Sequence, residues 1–289
     1  MVHAMLAGAD CIDDVDLLRA GATGRVVGHD VAAPSMVGTW LRRFTFGHVR
    51  QLDRLAETLL ARAWAAWAGP GEAPLVIDVD STICAVHGHA KQGATYGYTC
   101  QRGDHPMLAT RADTGEVLHA RQRKGSANTA RGAPRFVRET IGRVRRAGAA
   151  GAITLRADAG YWSRTVIAAC DDHDVRFSLT VRTTSKVRAA IDAIGEDAWT
   201  DIAYTDAGFA QVAETVLDGH WSIIRRTRID HPDQQLFADW RHHAFVTDAS
   251  GDAVALDAFH RHHAVCELAI RDLKAEGLAE YQLEVAIAA

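Results

Sequence analysis

The sequence has no uninterrupted apolar run near the ~20 residues that a bilayer-spanning helix needs, and Met1 is not followed by the charged region and apolar core of a signal peptide. A soluble chain in the cytoplasm, with no membrane partner, is the expectation. A CxxC pair is also missing. The five cysteines, Cys11, Cys84, Cys100, Cys170 and Cys266, are odd in number, which argues against a disulfide framework and against a zinc knuckle. Reduced, mostly buried thiols follow. There is little net charge: −4 at pH 7 carries no global signal for a polyanionic partner, so any nucleic-acid surface has to come from local patterning. Internal repeats and low-complexity tracts are absent too. What is present is 289 residues with 48% hydrophobic content, enough for one large core or for a domain with a smaller companion.

Local patterning exists. Between Arg121 and Arg146 lie nine basic residues (Arg121, Arg123, Lys124, Arg131, Arg135, Arg138, Arg143, Arg145, Arg146) against one acid, Glu139. Such a run is either a solvated helix face or a surface for phosphates. Residues 1–70 read as helical, with Ser35 as N-cap of a long amphipathic segment from Met36 through Trp67, broken by AGPGEAP before a second unit. The periodicity then changes to that of strands: Leu75 to Ile83, Ala94 to Thr99, Met107 to Thr110 and Glu116 to Arg121 predict an antiparallel group. A helix over Ser126–Ala147, the strand GAITLRAD, a helix from Ser163 to Asp171 and a strand from Val175 to Val181 complete a mixed sheet with helices packed on it. Residues 186–255 read as a β-rich insertion, and a last helix is predicted from Asp257 to Ala275.

The stretch LVIDVDSTI places two carboxylates two residues apart at the end of an apolar strand. Side chains alternate along a strand, so Asp78 and Asp80 share a face and can share a cation or act as nucleophile and acid/base. Two further acids stand out by position: Asp158 at the end of GAITLRAD, and Glu267 in HRHHAVCELAIRDLK. Each alone has an ordinary explanation as a turn cap or a solvated side chain. Together, two acids on neighbouring strands and a third on a crossing helix describe a site for two Mg²⁺ ions about 3.5–4 Å apart, set for in-line attack on a phosphodiester. At about 100° per residue, His260, His263, Glu267 and Lys274 fall on one stripe of the last helix, a polar face suited to metal and phosphate.

The ordered set DVDST, then Gly88 and KQGATYGY, then KGSAN, then LRADAGYW, then H-x2-H-x3-E-x6-K resembles a bacterial insertion-sequence transposase of the DDE class. ADCIDDVDLLRAG and FTFGHVRQLD resemble the helical region that precedes the catalytic core in those enzymes, so the likeness covers almost the whole chain. The resemblance implies an α/β fold: an RNase H-like mixed sheet flanked by helices, with an N-terminal helical region (1–70), a first core part (75–185), a β-rich insertion (186–255) and a C-terminal helix carrying the third acid (256–289). It implies Asp80, Asp158 and Glu267 as the catalytic, metal-binding acids, with Asp78 as the alternative first acid, and Lys274 as the signature lysine near the scissile phosphate. His260 and His263 stand where the family signature has Tyr and Arg. Two Mg²⁺ ions, replaceable by Mn²⁺, would serve cutting and joining of double-stranded DNA, at the element's terminal inverted repeats and at target DNA, by a homo-oligomer in the nucleoid. Arg121, Arg123, Lys124, Arg143, Arg145 and Arg146 join Lys274, His260 and His263 as expected DNA contacts. The family normally continues with more helix after the signature lysine, which implies a truncated or frame-shifted copy.

Two alternatives stay open on the residues alone. An apolar strand followed by D-x-D-x-T also fits a haloacid-dehalogenase-like phosphatase, with Asp78 as nucleophile, Asp80 as acid/base and one Mg²⁺ beside them. The other is a DNA-binding transposase remnant that has lost its chemistry.

Overall fold

The structure, a computed structural model, describes residues 2–9, 11–86, 91–204, 208–229 and 239–273. The N-terminal region holds α1 (Val2–Leu6), α2 (Val15–Arg19), α3 (Thr23–Val27), α4 (Pro34–Leu41) and α5 (Phe46–Ala63). Ala4, Ala9, Val15, Val37 and Leu41 form a small core of its own. The single helix expected from Met36 through Trp67 is thus two. Pro34 opens α4, where its fixed φ suits the first turn, so Ser35 lies inside the helix and Ala33 caps it. The chain then becomes extended at Thr45, whose N–H donates to His48 Nδ1 at 3.1 Å and starts α5 afresh.

The remaining elements are β1 (Leu75–Ser81), β2 (Cys84–Ala85), β3 (Thr95–Tyr96), β4 (Arg102–Asp104), β5 (Met107–Arg111), β6 (Val117–Arg121), α6 (Ala133–Ala147), β7 (Ile153–Ala157), α7 (Arg164–Asp171), β8 (Val175–Val181), α8 (Ser185–Asp192), β9 (Thr200–Ile202), β10 (Ala210–Leu217), β11 (His220–Ile229), β12 (Asp239–Thr247), α9 (Ala253–Arg261) and α10 (Val265–Leu273). Nine strands make one sheet in the order β6-β5-β1-β7-β8-β12-β11-β10-β9. β5 and β6 meander antiparallel from β1, while β7 and β8 run parallel to it. This is the mixed, helix-flanked sheet of the RNase H-like fold. The β-rich stretch adds to the same sheet: β12 pairs antiparallel with β8, and β11, β10 and β9 follow outward. The strand expected near residues 94–99 lies elsewhere, in a three-stranded sheet of order β2-β4-β3 inserted between β1 and β5.

Alternation sorts the main sheet into two faces. Ile77 and Val79 of β1, Met107 and Ala109 of β5, Leu155 and Ala157 of β7, and Phe177 and Leu179 of β8 join the main core. Phe136, Val137, Ile141 and Val144 of α6 and Val166 and Ile167 of α7 close that core from above. Each of the larger of these side chains contributes about 1.5–3 kcal/mol by leaving water. The opposite face carries the polar residues of the same strands, Asp78, Arg156 and Ser178, all buried under the C-terminal helices. There α10 packs Cys266 and Ile270 on Leu108, and the Cys266 thiol lies 3.5 Å from the Thr110 hydroxyl. Among the described residues, no helix is long and apolar enough to cross a membrane.

Candidate active site

Register brings the first two acids together. Asp78 sits beside Arg156 and Val79 beside Ala157 in the parallel β1–β7 pair, so one residue further on Asp80 comes level with Asp158, both on the polar face. The expected last helix is broken: α9 ends at Arg261, a 3₁₀ turn spans His262–Ala264, and α10 begins at Val265. That turn shifts the helical phase. His260 goes into the sheet, stacked on Phe245 with ring centroids 4.1 Å apart and bonded to the hydroxyls of Ser178 and Thr180 at 2.7 and 3.0 Å. Burial drives its pKa well down. His263, three residues later, reaches Asp78 instead.

Asp78 is committed on both oxygens. Arg156 donates Nε to Oδ1 at 2.7 Å and a terminal nitrogen to Oδ2 at 2.8 Å, and His263 Nδ1 lies 2.9 Å from Oδ1. A carboxylate only accepts, so His263 carries its proton on Nδ1. The same guanidinium donates to the carbonyl of Phe259, tying β1, β7 and the end of α9 in one knot. With 1% of its surface exposed, Asp78 has no lone pair turned to solvent for a nucleophile's work. The antiparallel hairpins after β1 likewise differ from the parallel βαβ units that a haloacid-dehalogenase-like sheet requires.

Asp80 is placed differently. Its Oδ1 accepts one hydrogen bond, from the Ser81 N–H at 2.6 Å. Its pKa is pushed up to about 6, first by burial and then by the negative charges of Asp158 and Glu267, with His263 pulling the other way. The same carboxylate therefore feels both other predicted acids. Asp158 and Glu267 are exposed, and Asp158 is steadied by the Gly160 N–H at 2.9 Å. A side chain at Gly160 would meet Thr129 at 2.5 Å, so that turn admits only glycine. Among the described residues, no three His, Cys, Asp or Glu side chains close round one point. An all-oxygen set with an acid held unfavourably charged fits hard divalent ions.

The sequence reading singled out none of three further site residues, His105, Tyr161 and Arg156. His105, fully buried, gives Nδ1–H to the Ala127 carbonyl at 2.8 Å and takes the Ser81 hydroxyl on Nε2 at 3.0 Å. It pins the KGSAN loop to the end of β1 beside Asp80. Tyr161 is buried with its hydroxyl near Ser81 but closing no hydrogen bond, and burial pushes its pKa far up. Arg156 was visible in LRAD two residues before Asp158, and that parity is the signal that finds it.

The basic run is not beside these acids. α6 lies on the other face of the sheet, and its cations are engaged there. Arg143 pairs with Asp53 and reaches the Leu118 carbonyl at 3.3 Å; Arg146 pairs with Glu57 at 2.6 Å. Arg145 donates to the carbonyls of Ala149 and Gly151 at 2.9 and 2.7 Å, and Arg121 pairs with Glu139. These residues fasten α5 and the sheet edge to α6. Arg123 is buried, its guanidinium on the carbonyls of His105, Asn128, Thr129 and Arg131 at 2.9–3.1 Å, where it shapes the loop. Only Lys124 of the predicted set is exposed near the site side of that loop. Gly88 and Lys274 lie outside the described residues.

Among solved structures, a piggyBac transposase synaptic complex with hairpin DNA is similar over 71% of this chain and 41% of that one, at 9% identity and a TM-score of 0.46. Marinitoga piezophila Argonaute in complex with a 5′ OH guide RNA is similar over 73% of this chain and 28% of that one, at 9% identity and a TM-score of 0.27. The chain thus spans less than half the length of either. No curated protein matches it. The family described as Transposase DDE domain group 1 matches residues 1–281, nearly the whole sequence, and the chain belongs to that family.

Proposed function

We propose that this chain is the catalytic core of a DDE transposase that cuts and joins DNA at the ends of an insertion sequence, with Asp80, Asp158 and Glu267 as the acids that hold two divalent ions, Mg²⁺ in the cell. The observation that carries the reading is the shared electrostatics of the three. Glu267 comes from the far end of the chain, yet its charge and that of Asp158 both raise the pKa of Asp80. Keeping repelling carboxylates within electrostatic reach of one another is unfavourable by itself and is offset where a cation is to sit among them.

The chain's own residues divide the work. Asp78, Arg156 and His263 hold β1, β7 and the start of α10 in fixed relation, so the three acids keep their spacing. His105 and Ser81 hold the strand end that presents Asp80. Asp80 brings a part-buried carboxylate, and the exposed Asp158 and Glu267 would complete the ligand set from the solvent side. A bound ion pair supplies polarisation of the attacking oxygen and neutralises charge building on the phosphodiester.

The test is cleavage of a duplex carrying the element's own flanking sequence, with and without Mg²⁺. Nicking that needs the metal and falls at least about 10³-fold in Asp80→Asn, Asp158→Asn and Glu267→Gln is expected. Nicking that survives in Glu267→Gln refutes the assignment. Salt-dependent DNA binding with no nicking by the wild-type chain would leave the remnant reading in its place.

A further inference from the structure

The small sheet β2-β4-β3, with the turn Lys124–Asn128 folded against it, has no part in the reading so far. It emerges from the end of β1, directly after Asp80 and Ser81. Its backbone is packed tightly enough to exclude side chains. A Cβ at Gly103 would lie 2.2 Å from the Cys84 carbonyl oxygen, one at Gly125 2.0 Å from that of Gly103, and one at Gly97 2.6 Å from that of Gly125. Three glycines thus let strand and turn pile backbone on backbone, and the Ser126 N–H donates to Thr95 Oγ1 at 2.8 Å across the pile.

On this thin base stand two aromatic rings that the core does not use. Tyr96 is 67% exposed and Tyr98 76%. The Tyr98 ring lies 5.9 Å from that of His105. His105 in turn binds the Ser81 hydroxyl at 3.0 Å, and the Ser81 N–H binds Asp80. Tyr98 is therefore three contacts from the first acid, at the rim of the site. The surrounding charge has one sign. Asp104 is the single acid in residues 81–112 and is buried, under the influence of Lys91 and Arg102, while Lys124 bridges to it through the backbone and is itself exposed.

We propose that this clip is a stacking platform for an unpaired nucleotide of the DNA strand held at the acids. The base lies on Tyr98, with Tyr96 beside it, and the flanking phosphates run past Lys91 and Lys124. Every base has a π-face, so such a platform takes a nucleotide without regard to its identity, and cations beside the rings supply the backbone contacts. A rigid base keeps the entropy lost on binding small, because the glycine-packed backbone that carries the two tyrosines is already fixed. A base within an intact duplex has both faces covered, so the platform takes only one displaced from the stack. This rests on the proposed function for the identity of the strand, but the binding it describes needs no chemistry.

The experiment uses the full chain in EDTA and two duplexes of the same sequence, one with a single unpaired 2-aminopurine and one with that base paired. Wild type is expected to quench the unpaired probe and bind that duplex about tenfold more tightly than the paired one. Tyr98→Ala should lose both the quench and the preference, and Tyr98→Phe, which keeps the ring, should retain them. Tyr98 is exposed, so the thermal melting of both variants should match wild type. Salt-dependent binding of both duplexes with no quench, or a quench unchanged in the Tyr96→Ala/Tyr98→Ala double variant, overturns this proposal alone. Failure to bind either duplex overturns it together with the proposed function.

Discussion

Asp78 and Asp80 lie two residues apart on one face, and replacing each by Asn should move stability in opposite directions. Asp78 is the buried partner of Arg156, and removing one member of such a pair strands the other's charge, at a cost of about 3–5 kcal/mol. Asp80 is the reverse case. Its pKa rises from 3.8 to about 6, and at about 1.36 kcal/mol per unit the ionised form costs the fold about 3 kcal/mol near neutral pH. The sign follows from linkage: the folded state holds this proton more tightly, so the group opposes folding increasingly as pH rises through the range from 3.8 to about 6. Screening at a part-exposed position brings the expected gain in Asp80→Asn to about 1–2 kcal/mol, a rise of about 2–6 °C in melting temperature. The Ser81 N–H keeps its acceptor in the amide. The assay is urea and thermal unfolding at pH 7.5 in EDTA, repeated with millimolar Mg²⁺. Added metal should stabilise wild type and leave Asp80→Asn nearly unmoved. An Asp80→Asn variant less stable than wild type in EDTA would refute the claim that its charge is held against its own preference.

Three further outcomes are expected. His119 is buried with its pKa pushed down to about 4, chiefly by burial and then by Arg143; below pH 6.5 the unfolded chain takes a proton that the folded one refuses, so stability falls as pH drops toward 4. Urea midpoints at pH 7 and 5 should show a drop smaller by about 2 kcal/mol in His119→Gln than in wild type, and equal drops would remove His119 from the account. Arg143→Ala leaves Asp53 without its buried partner and should cost about 3 kcal/mol, read as faster proteolysis around residues 44–74; an unchanged digest would mean that α5 is held by other contacts. Gly103→Ala drives a methyl into the Cys84 carbonyl and should cost about 2–3 kcal/mol. Faster amide exchange across β2–β4 is its signature, and native protection there would show that the pile yields.

Much of the main sheet was legible because its signals are local. Alternation in Leu75–Ser81 puts Ile77 and Val79 on one face and the acids on the other, and Val175–Val181 is a strand with the predicted ends. Ser163 starts its helix as predicted, accepting the Val166 N–H at 3.2 Å. What escaped was non-local. HRHHAV reads as uninterrupted helix, and only packing on Ser178 and Phe245 on one side and Asp78 on the other selects the 3₁₀ turn that parts His260 from His263. The pairing of Asp78 with Arg156 spans 78 positions and exists only once β1 and β7 are neighbours. The apolar positions of α6 predict a buried stripe, but nothing in them says which face of the sheet it covers, so the pairing of Arg143 and Arg146 with Asp53 and Glu57 of α5 was not legible in the basic run. The four strands beyond β8 are regular, yet their attachment to the core edge is written in a register, not in a motif.

The link from Asp78 to His263 spans 185 positions, and it has a consequence for the cell that makes this chain. Synthesis delivers the two strand acids early and the helix bearing Glu267 only after the whole outer sheet has left the ribosome. A half-made chain, even one whose first core part has already folded, lacks the third of the proposed acids. On the proposed function, the site is complete only when the last helix docks on a fold that is otherwise in place.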